Sequence, residues 1–337
     1  MPPGQFMVDA HEDIACHCQE NGRDLLNSTG CHAPVMITLQ GWQQVGMRLV
    51  CGTLFVPHEH PERRRRYLLH SQWEIYRQWF DEFPEELVPV RTAADLRRLA
   101  ESGPVAVGGR RGYPVGIVLL MEGLELLDSP AELQTWWDRG VRLASLTWNG
   151  RNRYASGCSS DGAGLTPAGI ELLLEFERLG MVLDLAHLCD AGIENALNSF
   201  SGNICSTHSN ARSITQHQRN LTDAQAREVA RRGGMSGLNL LAPFVKTGWR
   251  RGDRLPTLGH ALDHVDYLAQ LCGFQSVGLG SDLDGGLVPD NTVDVIDEVS
   301  DLELLCRGLE ERGWDAERVA GFRGGNWWRF LERCLPA

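Results

Sequence analysis

The stretch Gly116-Ile-Val-Leu-Leu-Met-Glu122 is apolar until its last residue, which is a carboxylate. A short run of this kind is typical of a parallel β-strand that is covered on both faces. Similar runs recur along the chain, with helix-like stretches between them. The candidate strands are Met7–His11, Met47–Val56, Val115–Glu122, Leu143–Trp148, Met181–His187, Asn203–His208, Gly234–Leu241 and Ser276–Asp282.

The helix-like stretches carry their own boundary signals. Thr166-Pro167 places proline at the first helical position, and Thr222 is a plausible N-cap with Gly233 just past the helix end. The candidate helices are Glu59–Asp81, Ala93–Ala100, Ala131–Arg139, Thr166–Leu179, Asp190–Phe200, Thr222–Arg232, Leu258–Leu271, Leu302–Arg312 and Asn326–Leu335.

The alternation of strands and helices predicts an α/β fold, a (β/α)8 barrel of the TIM type. We expect a single barrel domain over residues 1–337, closed by C-terminal helices. A doubly wound open sheet is the alternative. Such a sheet usually has a glycine-rich turn for a nucleotide, and no G-x-G-x-x-G follows the first strand.

The composition limits the partners. The chain has 337 residues, 42% of them hydrophobic, and a formal net charge of −12 at pH 7. This charge argues against nucleic acids and anionic membranes, which bind clustered Lys and Arg. The one basic cluster is Arg63 to Arg66. On a helix, four consecutive side chains point in different directions, so they would form no single basic face. No apolar run reaches the roughly 18–20 residues of a membrane span. We therefore expect no nucleic acid and no membrane as partner.

The N-terminus and the cysteines bear on location. Met1 to Gln5 is too short for the charged and apolar regions of a secretory signal, so we expect a cytoplasmic protein. The 10 cysteines are then expected to be reduced thiols. Cys16-His17-Cys18 looks like a metal clip but lacks a partner C-x-x-C, so we expect it to pack in a loop or the core.

Metal-competent side chains stand at the ends of several candidate strands. In a barrel of this type, catalytic groups collect at the C-terminal strand ends. A single such residue is more often a satisfied polar group or a helix cap than a ligand. Together they exceed the three ligands that a catalytic zinc takes, and they predict two metals about 3.5–4 Å apart that share a carboxylate. The residues are His11, Asp13, Glu122, His187, His208 and Asp282.

Three further residues were weighed for this chemistry. Asp184 lies inside its strand, and we interpret it as a partner that orients a ligand. His260 and His264 have the i, i+4 spacing of a helical zinc site. No Glu follows His260, so we do not expect them to bind metal.

The sequence resembles the membrane (renal) dipeptidase family of the amidohydrolase-type barrels almost from end to end. The resemblance runs from Val8-Asp-Ala-His-Glu-Asp13 to Gly324-Gly-Asn326-Trp-Trp-Arg329. Each block is weak alone, but their order and spacing make the match specific. The blocks between are Met121-Glu-Gly123, Leu146-Thr-Trp-Asn149 with Asn152, Asp184-Leu-Ala-His187, Ser206-Thr-His-Ser209, Gln218-Arg-Asn220, Gly237-Leu-Asn239 and Gly280-Ser-Asp-Leu-Asp-Gly285.

The resemblance implies a zinc-dependent dipeptidase with two zinc ions. His11 and Asp13 would hold one ion, and His187 and His208 the other. Glu122 would bridge them together with a hydroxide. Zinc lowers the pKa of bound water from about 15.7 towards about 7, which provides a nucleophile at neutral pH.

The resemblance also implies roles beyond the metal ligands. Arg219 would grip the terminal carboxylate of a dipeptide, for which a guanidinium offers a planar two-point contact. Asp282 would lie near the free amino group and transfer the proton to the leaving amine. The alternative for Arg219 is a salt bridge. The family further implies a homodimer, and a D-residue tolerated at the C-terminal position of the substrate.

One position departs from the family pattern. Many members have a histidine that contacts the substrate carbonyl where this chain has Trp148, whose indole N–H donates but cannot titrate. Either Trp148 reshapes the pocket, or Asn149 or Asn152 donates instead. A related metallohydrolase acting on an N-acyl amino acid, a lactone or a cyclic amide therefore remains an alternative. A non-catalytic binding protein on the same barrel is a further one.

Overall fold

The computed structural model describes residues 6–25, 31, 33–107 and 110–337. Its centre is a ring of eight parallel strands. All eight coincide with runs that the sequence predicts. The strands β1 to β8 are Met7–Glu12, Met47–Leu54, Val115–Glu122, Val141–Ser145, Val182–Asp184, Ile204–Cys205, Ser236–Leu238 and Val277–Leu279.

Helices cover the outside of the ring, and every candidate helix of the sequence is present. Thr166 and Thr222 cap their helices as predicted, because their hydroxyls accept from the backbone N–H of Gly169 and Gln225. The helices α1 to α13 are Ile14–Asn21, Leu39–Val45, Glu62–Glu82, Ala93–Glu101, Leu133–Asp138, Pro167–Leu179, Asp190–Ser199, Asp223–Arg231, Ala242–Val245, Leu258–Cys272, Glu303–Glu311, Ala316–Ala320 and Asn326–Cys334.

Closure of the ring distinguishes this barrel from the open sheet that was the alternative. The strands pair in the order β7-β8-β1-β2-β3-β4-β5-β6. Ser206, just after β6, donates its N–H to Met235 O (2.8 Å) and accepts from Gly237 N–H (2.9 Å) on β7. The two ends of the sheet are therefore joined, which confirms the (β/α)8 prediction.

Apolar side chains fill the ring below the site. Val8, Leu49, Val118 and Leu143 are buried in one cluster with Trp327 of α13. Because this interior is packed rather than hollow, side chains can gather around an open space only at the C-terminal strand ends. In the part of the chain described, no helix is long and apolar enough to cross a membrane.

The structure differs from the sequence-based prediction mainly at the strand ends. β5 and β6 stop earlier than the predicted Met181–His187 and Asn203–His208. His187 has a left-handed backbone (φ 69°), which takes it out of the ladder and turns it towards the barrel mouth. The segments after both strands are therefore site loops, not strand.

Some short elements were missed. Helix α1 buries Ile14 through Cys18 on every side, so it lacks the one-sided apolar pattern that predicts a helix. Helices α2, α9 and α12 and the pieces Leu87–Pro89, Val105–Val107 and Arg110–Gly112 were also not predicted. Leu87–Pro89 pairs with β3, and the other two strands form a small antiparallel pair outside the ring.

Candidate metal centre

The end of β1 delivers two side chains to the mouth of the barrel. A bulge between Asp9 and Glu12 breaks the register with β2, and Asp13 begins the turn into α1. His11 Nε2 and Asp13 Oδ1 lie 3.9 Å apart. Glu12 points the other way, where its carboxylate accepts from Trp42 Nε1 (3.1 Å). His11 and Asp13 therefore face the barrel mouth together, and Glu12 faces away from it.

Glu122, the last residue of β3, lies between two pairs of side chains. Its Oε2 is 3.8 Å from His11 Nε2, on the side where Asp13 lies. Its Oε1 is 2.6 Å from His187 Nε2 and 3.6 Å from His208 Nε2. The two oxygens of one carboxylate thus face the two pairs that the sequence singled out.

A hydroxyl behind the histidines connects three strands. Thr207 Oγ1 lies 3.2 Å from His11 Nδ1 and 2.9 Å from His208 Nδ1, and it donates to Asp184 Oδ2 (2.5 Å). We interpreted Asp184 as a residue that orients a ligand, and the structure places it behind Thr207 rather than against an imidazole. The fixed Nδ1 atoms leave both Nε2 atoms facing Glu122.

His187 is held by a loop after β4 instead of by a carboxylate. Asn149 Oδ1 accepts from His187 Nδ1 (2.8 Å) and from the Cys158 thiol (3.3 Å). The backbone N–H of Cys158 donates to His187 O (2.7 Å). We expected Asn149 to bind substrate, but its oxygen is engaged by the metal-ligand candidate itself.

Asn152 also departs from its expected role. Its Nδ2 donates to Leu146 O (2.8 Å), and its Oδ1 accepts from the N–H groups of Tyr154 and Ala155. The side chain shapes the loop and has no polar atom directed at the centre. The expected substrate contact of Asn152 stays a prediction.

Burial and mutual charge shift the pKa values of the histidines and carboxylates of the centre. Burial lowers the pKa of His11, but the carboxylates of Glu122, Asp13 and Asp282 outweigh it and raise the value to about 10. For His187, burial and the Arg219 guanidinium lower the pKa to about 4. The carboxylates of Glu122, Asp13 and Asp282 therefore favour a positive charge between them. His187, which lies next to Arg219, favours its neutral form, and the neutral form can bind a metal.

The acidic groups respond in different directions. Burial raises the pKa of Asp13 well above its usual value and that of Asp282 to about 7. Burial acts the same way on Glu122, but His187 and His11 outweigh it and lower its pKa. Three buried carboxylates near one point are costly unless cations compensate them.

The donor set fits divalent metal ions. His11 Nε2 is buried and has no hydrogen-bond partner among the described residues. The Nε2 atoms of His187 and His208 face each other at 3.0 Å. Imidazole nitrogens and carboxylate oxygens are the ligand types of catalytic zinc sites. The groups whose donor atoms lie within 4.8 Å of one another are His11/Asp184/His208, Glu122/His187/His208 and His11/Asp13/Asp282.

Arg219 and Asp282 flank the centre on the β6–β8 side. Arg219 Nη2 lies 3.2 Å from His187 Nε2 and donates to His208 O (3.3 Å). Its Nε is buried and has no hydrogen-bond partner among the described residues. Asp282 Oδ1 is 3.9 Å from His11 Nε2. Among the described residues, the Arg219 guanidinium contacts Ser209, His187 and His208 and forms no salt bridge with a carboxylate, so the salt-bridge alternative finds no support there.

Two positioning residues escaped the sequence reasoning. Asn239, after β7, donates from Nδ2 to Asp282 Oδ2 (2.9 Å), and Thr53 at the end of β2 donates to Asp13 Oδ1. Both are polar residues at strand ends, and Asn239 stands in a block that carried the family resemblance. An amide or a hydroxyl is not among the ligand types of a catalytic zinc site, so the ligand pattern of the sequence does not single out Asn239 or Thr53.

The other histidines that the sequence singled out have structural roles. His264 is buried, accepts from Ala211 N–H (3.2 Å) through Nδ1, and donates from Nε2 to Val245 O (3.1 Å). His260 caps the start of α10 with Thr257. His17 Nδ1 accepts from Arg23, and all 10 cysteines are free thiols. The expected packing role of Cys16-His17-Cys18 is thus confirmed.

A buried set of His, Asp and Glu side chains at the C-terminal mouth of a (β/α)8 barrel defines the class of metal-dependent hydrolases. A model of the membrane dipeptidase family, peptidase family M19, matches residues 4–334. The chain belongs to this family, and it is a hydrolase that acts on peptide bonds.

Individual relatives agree with this assignment. The chain is 31% identical over 223 residues to an uncharacterized dipeptidase of Schizosaccharomyces pombe, covering 64% of this chain and 52%, about half, of that protein. The dipeptidase AC, a metallo peptidase of family M19, has a TM-score of 0.86 at 24% identity, covering 98% of this chain and 99% of that one. A metallo peptidase from Rhodobacter sphaeroides, liganded with a phosphinate mimic of the dipeptide L-Ala-D-Ala, has a TM-score of 0.84 at 23% identity, covering 98% and 99%. Both structures share the barrel fold.

Proposed function

We propose that the chain is a dipeptidase with two zinc ions, one held by His11 and Asp13 and the other by His187 and His208. The observation that carries this proposal is the position of Glu122. One of its oxygens faces His11 at 3.8 Å, and the other faces His187 and His208 at 2.6 and 3.6 Å. A carboxylate between two ligand pairs suits a bridge between two metals.

The residues around the ions divide the remaining work. When bound, such ions supply an activated water nucleophile and polarise the scissile carbonyl. Arg219 holds the substrate carboxylate, because its guanidinium is buried and its Nε has no hydrogen-bond partner among the described residues. Arg219 follows β6, and Asp282 follows β8 on the other side of β7. There Asp282 accepts a proton and delivers it to the leaving amine.

Asn239 supports the proton transfer by holding Asp282. Its amide donates to Oδ2 (2.9 Å), which leaves Oδ1 directed at the centre, 3.9 Å from His11 Nε2. Asp282 also has a left-handed backbone (φ 66°), an uncommon conformation for a residue other than glycine. Both features fix one carboxylate oxygen in the place where the proton is transferred.

The substrate on this proposal is a dipeptide with a free amino end and a free carboxyl end. The Rhodobacter sphaeroides relative binds a mimic of a dipeptide that ends in a D-residue. That likeness supports including D-residues at the C-terminal position in any substrate panel.

The test compares dipeptides with their N-acetyl counterparts on zinc-loaded protein. We expect hydrolysis of L,L and L,D dipeptides and at least a ~100-fold loss of kcat/KM on N-acetylation, since the free amine near Asp282 is then removed. Metal analysis should find two zinc ions per chain. Failure on the whole dipeptide panel would contradict the proposal. Equal or faster cleavage of N-acyl amino acids would favour the second candidate, an N-acyl amino acid hydrolase, which the presence of Trp148 keeps open.

A further inference from the structure

An aromatic wall, formed by Phe55, His58 and Trp148, stands beside the metal centre. Phe55 follows β2 and Trp148 follows β4, and their ring centroids are 5.3 Å apart. His58 meets the same indole edge-on at 5.1 Å. Trp148 is the member of the wall that lies next to the metal centre, since its ring centroid is 6.3 Å from that of His187. The wall is therefore an apolar surface next to a metal-ligand candidate.

The wall is held from behind by polar contacts. Gln72, which is fully buried, accepts from Phe55 N–H (2.9 Å) and donates to Phe55 O (2.5 Å). His58 Nε2 lies 2.5 Å from Glu125 Oε1, to which Arg65 also donates (3.4 Å). These contacts fix the wall before any ligand arrives, which lowers the entropy lost on binding.

Gly123 lets the Trp148 segment approach β3. Its φ is +80°, and a Cβ at this position would lie 3.2 Å from Trp148 N and overlap the Glu125 carboxylate. The close approach therefore places the backbone of Trp148 beside the residue that follows Glu122. The rings of Phe55 and Trp148 remain half-exposed at the barrel mouth.

The wall and the charged residues occupy opposite halves of the ring. Phe55 and Trp148 follow β2 and β4, whereas Arg219 and Asp282 follow β6 and β8. If the β6–β8 half holds the two charged ends of a dipeptide, the β2–β4 half is left for an uncharged part of it. Aromatic faces bind apolar groups, and the rings of Phe55 and Trp148 carry no positive charge to pair with an anionic side chain. The imidazole of His58 is already engaged by the Glu125 carboxylate.

We propose that the aromatic wall is the subsite for a bulky apolar side chain of the substrate, so that dipeptides containing Leu or Phe are preferred to Ala-Ala and to dipeptides containing Asp. This inference rests on the proposed dipeptidase function and adds the side-chain class to it. A hydrophobic contact of this size corresponds to a preference of about 10-fold or more in kcat/KM.

The test measures Ala-Ala, Leu-Ala, Ala-Leu and Ala-Asp on zinc-loaded wild type, Trp148→Ala and Trp148→His. Trp137→Ala is the matched control, because Trp137 is also half-buried but packs on Arg142 outside the barrel (3.9 Å). We expect at least one leucine dipeptide to exceed Ala-Ala about 10-fold in wild type and in the control, and the ratio to fall towards one in both Trp148 variants. Thermal melting verifies that each variant is folded.

A second measurement does not depend on turnover. The affinities of phosphinate mimics of Ala-Ala and Ala-Leu, measured by calorimetry, should differ about 10-fold in wild type and not in Trp148→Ala. Efficient hydrolysis of Ala-Ala without a leucine preference would overturn the subsite and leave the dipeptidase proposal standing. Neither hydrolysis nor binding of any mimic would overturn both. A preference that survives in both Trp148 variants would show that the wall does not create it.

Discussion

Glu122 illustrates how one side chain joins two half-sites. Its oxygens face His11 on one side and His187 and His208 on the other, and its pKa is lowered although burial opposes this. The apolar run alone shows only a terminal carboxylate, and the family resemblance implies that it bridges two ions. The ring brings β1, β5 and β6 around β3, so that the two oxygens of Glu122 face the two ligand pairs.

Replacing Glu122 should therefore affect both metals at once. We expect Glu122→Ala to retain less than one zinc ion per chain after dialysis, against two in wild type, because each ion loses a charged ligand. Glu125→Gln is the control, since that carboxylate lies on the same loop but contacts His58 and Arg65. Elemental analysis of the folded proteins gives the measurement, and two ions retained by Glu122→Ala would contradict the bridging assignment.

Asn149 and Asn152 form a natural pair for testing how His187 is oriented. Asn149 Oδ1 accepts from the His187 ring, whereas Asn152 bonds only within its own loop. We expect Asn149→Leu to weaken zinc affinity about 10- to 100-fold, the usual effect of losing a partner of a metal-bound histidine. Asn149→Asp, which keeps the acceptor, should restore most of the affinity.

The matched variant for this experiment is Asn152→Leu. It should lower the melting temperature by loosening the loop but change zinc affinity less than threefold, measured by competition with a chelator of known affinity. An equal loss of affinity in Asn149→Leu and Asn152→Leu would mean that the loop as a whole, and not the Asn149–His187 hydrogen bond, supports the metal.

Strand β7 can pack against the segment after β6 only because residue 237 is a glycine. A Cβ on Gly237 would overlap Thr207 O, and Gly280 meets the same oxygen. Thr207 supports His11 and His208, so the segment cannot move away without disturbing them. We expect Gly237→Ala to lower the free energy of unfolding by about 3 kcal/mol, the upper range for overpacking. Gly259→Ala in α10, where a Cβ meets nothing closer than 3.5 Å, should not lower it. Denaturant unfolding compares the two, and equal stability would contradict the close approach.

Helix α10 provides a pH-dependent contribution to stability through His264. Burial lowers the pKa of His264 from 6.5 to about 4 and outweighs the hydrogen bond to Val245, which favours the charged form. Its Nδ1 accepts from Ala211 N–H, and protonation of Nδ1 would break that bond. The unfolded chain therefore binds a proton between pH 6.5 and 4 that the folded chain does not. The contribution of neutral His264 to the free energy of unfolding is fully present above pH 6.5. It is lost as the pH drops towards 4, by about 3 kcal/mol in total.

The measurement is the free energy of unfolding at several pH values in wild type and His264→Gln. The variant should be less stable at pH 7 and should show a smaller decrease between pH 6.5 and 4. His60→Gln serves as the control, because His60 is half-exposed near Glu20. Parallel pH profiles for wild type and His264→Gln would show that other groups dominate. The contact matters for the site, since Ala211 and Thr215 belong to the loop that leads to Arg219.

For the whole molecule, the buried charges make metal content a determinant of stability. Asp13, Glu122 and Asp282 are buried together, and cations that bind only the folded chain stabilise it. We expect chelation to lower the melting temperature of the purified protein and zinc at 100 times its dissociation constant to restore about 2.7 kcal/mol. Glu122→Ala is the control and should respond weakly to chelator. Identical melting of wild type with and without metal would contradict a loaded site in the folded barrel.

Much of this protein is determined by its sequence alone. The eight apolar runs predict the strands, because both faces of a parallel strand are buried and the run is continuous whatever lies beside it. The metal-competent residues at the strand ends are found the same way, since the C-terminal ends of parallel strands meet at one mouth. His11, Asp13, Glu122, His187 and His208 come together there as predicted.

Only the tertiary structure decides which polar groups touch. Asn149 turns to His187, Asn152 to its own loop, and Asn239 to Asp282, although all three are asparagines near strand ends. Likewise, nothing in the local sequence brings Phe55 to Trp148, which are 93 positions apart and meet because β2 and β4 flank β3. The pattern of apolar residues is a local property of the chain, so it can be recognised in the sequence without knowledge of the fold. Hydrogen-bond partners and pocket walls arise from packing between distant segments, and they exist only once the ring has closed.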